Sequence, residues 1–127
     1  MHKSQLGGFI IDCRTGDLDA AADFWSAALG LKREARDTPA KGNYVHLAKR
    51  EPNGLDIEVQ KVEHESRVHL DIESDDIEAE AARLEKLGAK KVKRYERWWV
   101  MEAPTGQRFC IVPAKRANFA TEANSWE

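Results

Sequence analysis

The stretch Arg67-Val68-His69-Leu70-Asp71-Ile72 alternates charged or polar residues with aliphatic ones. Such alternation predicts a β-strand with one polar and one apolar face. A helix should follow this strand and end at Gly88, because apolar residues recur there with helical spacing. The apolar positions of that helix are Ile77, Ala81, Leu84 and Leu87. The stretch therefore opens a strand–helix unit.

The same order of elements occurs once earlier in the chain. Residues 9–13 precede a helix that should begin after Asp17 as N-cap and end at Gly30, and Asp75 with Glu78 resembles a capping box for the second helix. The apolar stripe of the first helix comprises Leu18, Ala21, Ala22, Trp25, Ala28 and Leu29. Identity between the halves is low, so the repeat lies in the order of elements and turns.

Strands are predicted from alternation and from β-branched or aromatic content. The predicted strands span residues 7–13, 32–36, 43–48 and 55–61 in the first half, and residues 67–73, 89–94, 96–102 and 107–112 in the second. Each half then reads β-α-β-β-β. A ferredoxin-like chain is the structural alternative, but it has fewer strands between its helices than are predicted here.

Length and composition predict one domain over residues 1–127, with modules at about 7–61 and 67–113 and a polar tail at 114–127. The tail has Phe119 and Trp126 as its large apolar residues, so it is either frayed or docked by those two rings. His2 is expected in a flexible terminus and His64 in a loop, whereas the direction of His46 is undetermined.

Charge and cysteine usage exclude several classes of function. A net charge of −2 gives no electrostatic argument for binding nucleic acid or an anionic membrane, and no apolar run approaches the length of a membrane span. Cys13 and Cys110 have neither the spacing of a zinc motif nor that of a disulfide framework. They are expected to be reduced thiols in a cytoplasmic protein.

Several short motifs, in this order, give the chain a family resemblance. They are Asp12-Cys13, Phe24-Trp25 with Leu29-Gly30, the stretch 67–72, Leu87-Gly88-Ala89, and Trp99-Val100 before Pro104-Thr105-Gly106. Over residues 7–113 the chain resembles the vicinal oxygen chelate superfamily, which includes glyoxalases, bleomycin-resistance proteins and extradiol dioxygenases. It departs from the usual pattern at Ala103 and Gln107, where the family has an acidic residue and an asparagine.

The resemblance implies an α+β fold in which two βαβββ modules form a curved mixed sheet around a cavity, with the helices outside. The polar faces of strands 55–61 and 67–73 would then line the cavity, while their apolar faces pack on the helices. The alternative is that these polar faces are the solvated side of an antiparallel sheet, which needs no ligand.

Metal-using members of the superfamily take ligands from the first and last strand of each module, which here correspond to Ile10, Glu58, His69 and Cys110. The resemblance therefore implies one divalent ion (Zn, Fe, Mn or Ni) held by Glu58 and His69. Ile10 has no donor atom. Asp12 and Asp71 could substitute as ligands, and Cys110 could supply a thiolate.

Glu58 and His69 could also act as a catalytic pair without metal, since an imidazole of ordinary pKa moves protons near neutral pH. The alternative is a structural His69, bonded to Asp71 or Arg67. The further predicted ligand-binding residues are Asp12, Arg67, Asp71, Trp99 and Cys110. Adjacent Trp98 and Trp99 must point to opposite faces of their strand, so one of them should lie in the core.

Two classes of function remain open, both with a small-molecule ligand and a homodimer as the expected assembly. The first is a metal-dependent lyase, isomerase or dioxygenase acting on a small oxygenated substrate. The second is a metal-free ligand-sequestering protein of the bleomycin-resistance type. A dimeric scaffold without chemistry is a third reading, because one fold can host many functions.

Overall fold

Eight strands and three helices follow one another in a computed structural model that describes residues 1–127. The strands are β1 (His2–Arg14), β2 (Tyr44–Leu47), β3 (Asp56–Val62), β4 (Arg67–Ser74), β5 (Lys90–Arg94), β6 (Trp99–Glu102), β7 (Arg108–Pro113) and β8 (Asn124–Trp126). The helices are α1 (Leu18–Leu29), α2 (Ile77–Lys86) and the short α3 (Phe119–Glu122). The eight strands belong to one mixed sheet, which confirms the predicted α+β class.

The helix ends follow the capping chemistry of the sequence with one correction. The Asp17 side chain accepts a hydrogen bond from the Ala20 N–H at 3.0 Å, and α1 ends at Gly30, whose φ of 67° favours glycine. The N-cap of α2 is Asp76 and not Asp75, so the predicted capping box is wrong by one residue. Asp75 instead accepts from the Lys3 N–H at 2.8 Å.

Residues 9–68 form one compact unit, with strand order β2-β3-β1. The first part of the apolar stripe of α1 packs on the inner residues of the sheet, whereas Ala28 and Leu29 at its end are exposed. The buried core consists of Leu18, Ala22, Val45, Leu47 and Val59. β2 and β3 pair antiparallel, which sets His46 opposite Glu58. This register gives His46 a definite direction.

The predicted strand at residues 32–36 is wrong. Arg33 makes one isolated bridge to Leu47, and Ala35–Asp37 forms a 3-10 turn. Side chains compete with the strand ladder here: the Arg33 guanidinium donates to the Asp37 carbonyl, and the Asp37 carboxylate accepts from the His46 N–H. Such local bonds offer the backbone an alternative to pairing.

Residues 1–8 and 69–127 form the second compact unit, with strand order β1-β4-β7-β6-β5 and β8 paired to β1. β4 and β7 run parallel. The core under α2 consists of Ala81, Leu84, Met101 and Ile111. β1 begins at His2 and not near residue 7, and His2 is buried, so the expectation of a flexible terminus is wrong. Its ring lies 2.8 Å from the Glu80 carboxylate.

The C-terminal tail is docked by both of its aromatic rings. Phe119 is buried in α3, and Trp126 lies in β8, opposite His2 of β1. The Trp126 indole N–H donates to the Ser4 hydroxyl at 2.8 Å, and the Arg83 guanidinium lies 3.9 Å from its ring centre. Of the two alternatives for the tail, docking is therefore correct.

The apolar face of β4 packs on a helix only at its far end. Ile72 contacts the core under α2, but Val68 and Leu70 are 59% and 42% exposed, contrary to expectation. α2 packs mainly on β5, β6 and β7, so it does not cover the first residues of β4. Among the helices of the chain, none is both long and apolar enough to cross a membrane.

Candidate functional site

Three of the predicted site residues come together on β4 and β7. His69 and Asp71 are two residues apart on β4 and therefore share its polar face. The parallel pairing sets Cys110 of β7 directly beside Asp71. One ligand atom from each side chain lies within 4.8 Å of the others. We call His69, Asp71 and Cys110 the β4–β7 cluster.

The β4–β7 cluster is mostly shielded from solvent. The His69 Nε2 atom lies 3.4 Å from the Asp71 Oδ1 atom, and the two side chains are 12% and 17% exposed. Cys110 is a free, partly buried thiol. Imidazole nitrogen, carboxylate oxygen and thiolate sulfur are the three donor types that zinc takes in proteins, and iron and nickel accept them too. The donor set therefore fits a divalent transition metal.

Glu73 continues the same face of β4 but is occupied by protein groups. Its side chain is fully buried, and its carboxylate lies 3.2 Å from the Arg116 Nε atom. Gln5 and the Lys115 backbone N–H donate to the same carboxylate at 2.6 and 3.2 Å. A buried carboxylate with these partners holds the tail segment onto the sheet, so we read Glu73 as structural.

Glu58 is bonded to a histidine that the sequence alone did not place. In the unit 9–68, the His46 Nε2 atom lies 2.6 Å from Glu58 Oε1, and its Nδ1 atom lies 2.7 Å from Asp37 Oδ2. The bond to Glu58 is the main cause that raises the pKa of His46, and it outweighs burial, which lowers it. The β2–β3 register is the signal that could have revealed this pair, because side chains of opposite charge on neighbouring strands attract each other.

Asp37 is the second carboxylate of this network. Burial by itself raises the pKa of Asp37, but hydrogen bonds from the backbone and ring N–H groups of His46 outweigh it and leave the pKa below its ordinary value. Its side chain is 11% exposed. Asp37 therefore stays ionised and fastens the 3-10 turn to β2.

Asp12 and Arg67 lie near each other in the unit 9–68. The buried Asp12 Oδ2 atom is 3.8 Å from the Arg67 Nε atom and 3.9 Å from the His64 Nε2 atom. Arg67 also donates to the His64 ring at 3.3 Å. Ile10 on the same strand is 2% exposed and has no donor atom. A guanidinium and an imidazole therefore lie near one buried carboxylate.

The two adjacent tryptophans lie in different surroundings. Trp99 packs against the core under α2, and its indole N–H donates to Glu78 at 2.9 Å. Trp98 stacks on Tyr95 at 4.8 Å between ring centres. Trp99 is therefore the core member of the pair. Its role in ligand binding stays a prediction, as does a site shared by Glu58 and His69.

Comparison with known proteins gives one family match and several likenesses in fold. The family model described as "Glyoxalase-like domain" matches residues 8–112. A search of the curated proteins finds no match.

Two solved structures illustrate the likeness in fold. A chain named NAD-dependent benzaldehyde dehydrogenase from Legionella pneumophila is similar with a TM-score of 0.61 at 8% identity, over 84% of this chain and 99% of that one. A hypothetical protein from Bacillus halodurans C-125 is similar with a TM-score of 0.59 at 14% identity, over 89% and 96%. At such identities the likeness shows the fold alone, and it confirms the glyoxalase-like fold.

Proposed function

Because the chain belongs to the glyoxalase-like domain family, we propose that it binds a small oxygenated molecule at a mononuclear divalent metal centre. The β4–β7 cluster is the observation that carries this proposal. His69, Asp71 and Cys110 offer nitrogen, oxygen and sulfur within 4.8 Å on one sheet face. Three protein ligands leave room for a water or a substrate at the metal, as in catalytic zinc sites.

The chemistry of the proposed enzyme is that of a lyase, isomerase or dioxygenase. A bound divalent ion polarises a substrate oxygen or lowers the pKa of a bound water. His69, Asp71 and Cys110 hold and orient that ion. Their mostly buried positions exclude bulk water, which strengthens electrostatic interactions with a substrate.

We propose ligand-binding or catalytic roles for three side chains of the unit 9–68, which are Arg67, Asp12 and Glu58. The Arg67 side chain is 45% exposed, so its guanidinium is accessible to an anionic oxygen of a ligand. Asp12 and His64 lie beside it and restrict its position. Glu58 is proposed as the proton-accepting carboxylate, held in place by its bond to His46.

Metal-free ligand sequestration is the alternative function. Two observations favour it: Ile10 supplies no donor, and the Glu58 carboxylate is already bonded to His46. A dimeric scaffold without chemistry is the remaining alternative. We further propose that residues 1–127 form one glyoxalase-like domain of two modules. We also propose that the protein is a homodimer in the cytoplasm. Light scattering during size-exclusion chromatography tests the dimer.

Metal analysis of the purified, untagged protein tests the proposed centre. We expect the β4–β7 cluster to hold about one transition-metal ion per chain in the wild type, and His69→Ala and Cys110→Ser each to lower the metal content by about that one ion, because each removes one of three ligands. Cys13→Ser is the matched control, since Cys13 is also a free, partly buried thiol but lies outside the cluster. Wild-type protein that takes up no metal, with a melting temperature unmoved by zinc or chelator, contradicts the proposal.

A ligand screen separates the alternatives. Tryptophan fluorescence is followed while aromatic and glycopeptide compounds are added to metal-free protein. Saturable binding without metal supports sequestration, and binding that appears after metal loading and is lost in His69→Ala supports the enzyme. No response in either form favours the scaffold.

A further inference from the structure

A second group of metal-ligating side chains lies in the unit 9–68, apart from the residues of the proposed metal centre. Glu34 precedes the 3-10 turn, Asp37 ends it, and His46 lies on β2. One ligand atom from each of the three side chains lies within 4.8 Å of the others. We propose that Glu34, Asp37 and His46, which we call the turn site, bind one Zn²⁺ ion.

The backbone holds the three side chains of the turn site in place. The Glu34 N–H donates to the His46 carbonyl at 2.9 Å, and the His46 N–H donates to Asp37 Oδ2 at 2.8 Å. Arg33 also bridges to Leu47 beside them. Ligands carried by a rigid backbone lose little conformational entropy when an ion binds.

Glu58 stands outside the turn site and supplies an outer partner for its histidine. Its Oε1 atom lies 2.6 Å from His46 Nε2, while His46 Nδ1 points toward Asp37. Histidines that ligate metals commonly donate their other ring N–H to a carboxylate, which fixes the tautomer and makes the ligating nitrogen more basic. The arrangement at His46 has this form.

The charge balance and exposure of the turn site suit a cation. Three carboxylates (Glu34, Asp37 and Glu58) surround one imidazole, and the only guanidinium in contact with them is that of Arg36, at 2.8 Å from Glu34 and 3.7 Å from Asp37. Arg36 is 62% exposed and can turn to solvent, which opens a path for the ion. Zn²⁺ takes the place of the Nδ1 proton, which leaves to water.

The donor set distinguishes the turn site from the β4–β7 cluster. It contains nitrogen and oxygen donors, whereas the β4–β7 cluster adds the sulfur of Cys110. A cobalt ion bound to a thiolate shows sulfur-to-metal charge-transfer absorption, and a cobalt ion at the turn site cannot. The two sites can therefore be followed separately in one sample.

Calorimetric titration of the whole protein with Zn²⁺ tests the proposal. The Cys110→Ser background disables the β4–β7 cluster, and we expect about one Zn²⁺ still to bind. Adding Glu34→Gln should weaken that binding by about tenfold or more, and Glu58→Gln by about 10- to 100-fold. Glu63→Gln, an exposed carboxyl in a loop, is the control and should change nothing.

Glu34→Gln is a safe variant for folding because the side chain is about one-third exposed and pairs with the exposed Arg36. Cobalt titration of wild-type protein provides a second measurement, in which Glu34→Gln should remove only the ion that lacks thiolate absorption. The proposal is overturned if the Cys110→Ser protein binds no zinc, or if Glu34→Gln binds zinc as tightly as its parent.

Discussion

At the scale of single residues, buried carboxylates are the main risk to stability, and Glu80 shows how partners offset that risk. Glu80 is fully buried on α2 and accepts hydrogen bonds from the side chains of His2, Ser4 and Arg83. A buried charge without such partners would be strongly destabilising. These hydrogen bonds attach the first residues of β1 to α2. Polar contacts therefore hold the strand to the helix here, where apolar contacts do so elsewhere.

Glu80 should make stability depend on pH. Burial raises the pKa of Glu80, but the hydrogen bonds from Arg83, His2 and Ser4 lower it by more than burial raises it. The folded-state pKa therefore lies below the ordinary value of about 4.5. A lowered pKa contributes stability above the unfolded value, and this contribution disappears as the pH falls through the folded value. We expect Glu80→Gln to lose about 3 kcal/mol at pH 7 and progressively less below pH 4.5.

Urea unfolding across this pH range measures the Glu80 effect. Glu85→Gln on the same helix is the control, because Glu85 is 44% exposed and its ion pair contributes little. An equal loss for Glu80→Gln at neutral and acid pH would show that the missing stability comes from packing and not from charge.

At the scale of elements, capping residues and the docked tail determine where structure begins and ends. The first two helices start at an aspartate that accepts from a backbone N–H three residues on. The tail, polar as it is, adds β8 to the sheet through Trp126. Both features depend on one or two side chains and are therefore sensitive to point substitutions.

Asp76→Ala should destabilise the protein by about 1 kcal/mol, because it removes the acceptor for the Ala79 N–H at the start of α2. Asp76→Asn keeps an acceptor at the cap and should cost much less. Thermal and urea unfolding measure both. If the alanine variant is as stable as wild type, Asp76 is not the working cap.

Trp126→Ala should cost about 3 kcal/mol, since it removes a large ring packed against Arg83 and a hydrogen bond to Ser4. Ser125→Ala is the control in the same strand, because Ser125 is exposed. Chemical denaturation gives the difference. A loss below about 0.5 kcal/mol, the range of ordinary surface substitutions, would mean that the tail is not docked in solution.

At the scale of the whole molecule, the repeated plan and the chemistry of its halves diverge. The first strand of each half has Ile10 in one copy and His69 in the other, and the last strand has Glu58 and Cys110. The β4–β7 cluster draws its three side chains from the second half alone. The fold is shared with proteins of other names, so the fold alone does not determine an activity.

A bound metal should stabilise the folded chain. At a free zinc concentration of about 100 times the dissociation constant, the free energy of unfolding should rise by about 2.7 kcal/mol, provided that the unfolded chain binds weakly. Chelator should reverse the rise. Asp71→Asn should reduce the zinc-induced rise in the free energy of unfolding more than Asp75→Asn does, because the Asp75 side chain lies outside the β4–β7 cluster. Equal rises in both variants would remove Asp71 from the ligand set.

Features that depend on residues close together in the chain were predictable from the sequence alone. The helix period, the cap at Asp17 and the shared face of His69 and Asp71 follow from geometry that repeats over a few positions. The family resemblance rested on the same local order and was confirmed by the match over residues 8–112.

Contacts between residues far apart in the chain became known from the three-dimensional fold. The parallel pairing of β4 and β7 brings Cys110 to Asp71, and the β2–β3 register brings His46 to Glu58. The start of β1 at His2 and the docking of Trp126 likewise depend on contacts with Glu80 and Ser4. Strand register is set by packing between segments far apart in sequence, and a shift of one residue turns every side chain to the other face.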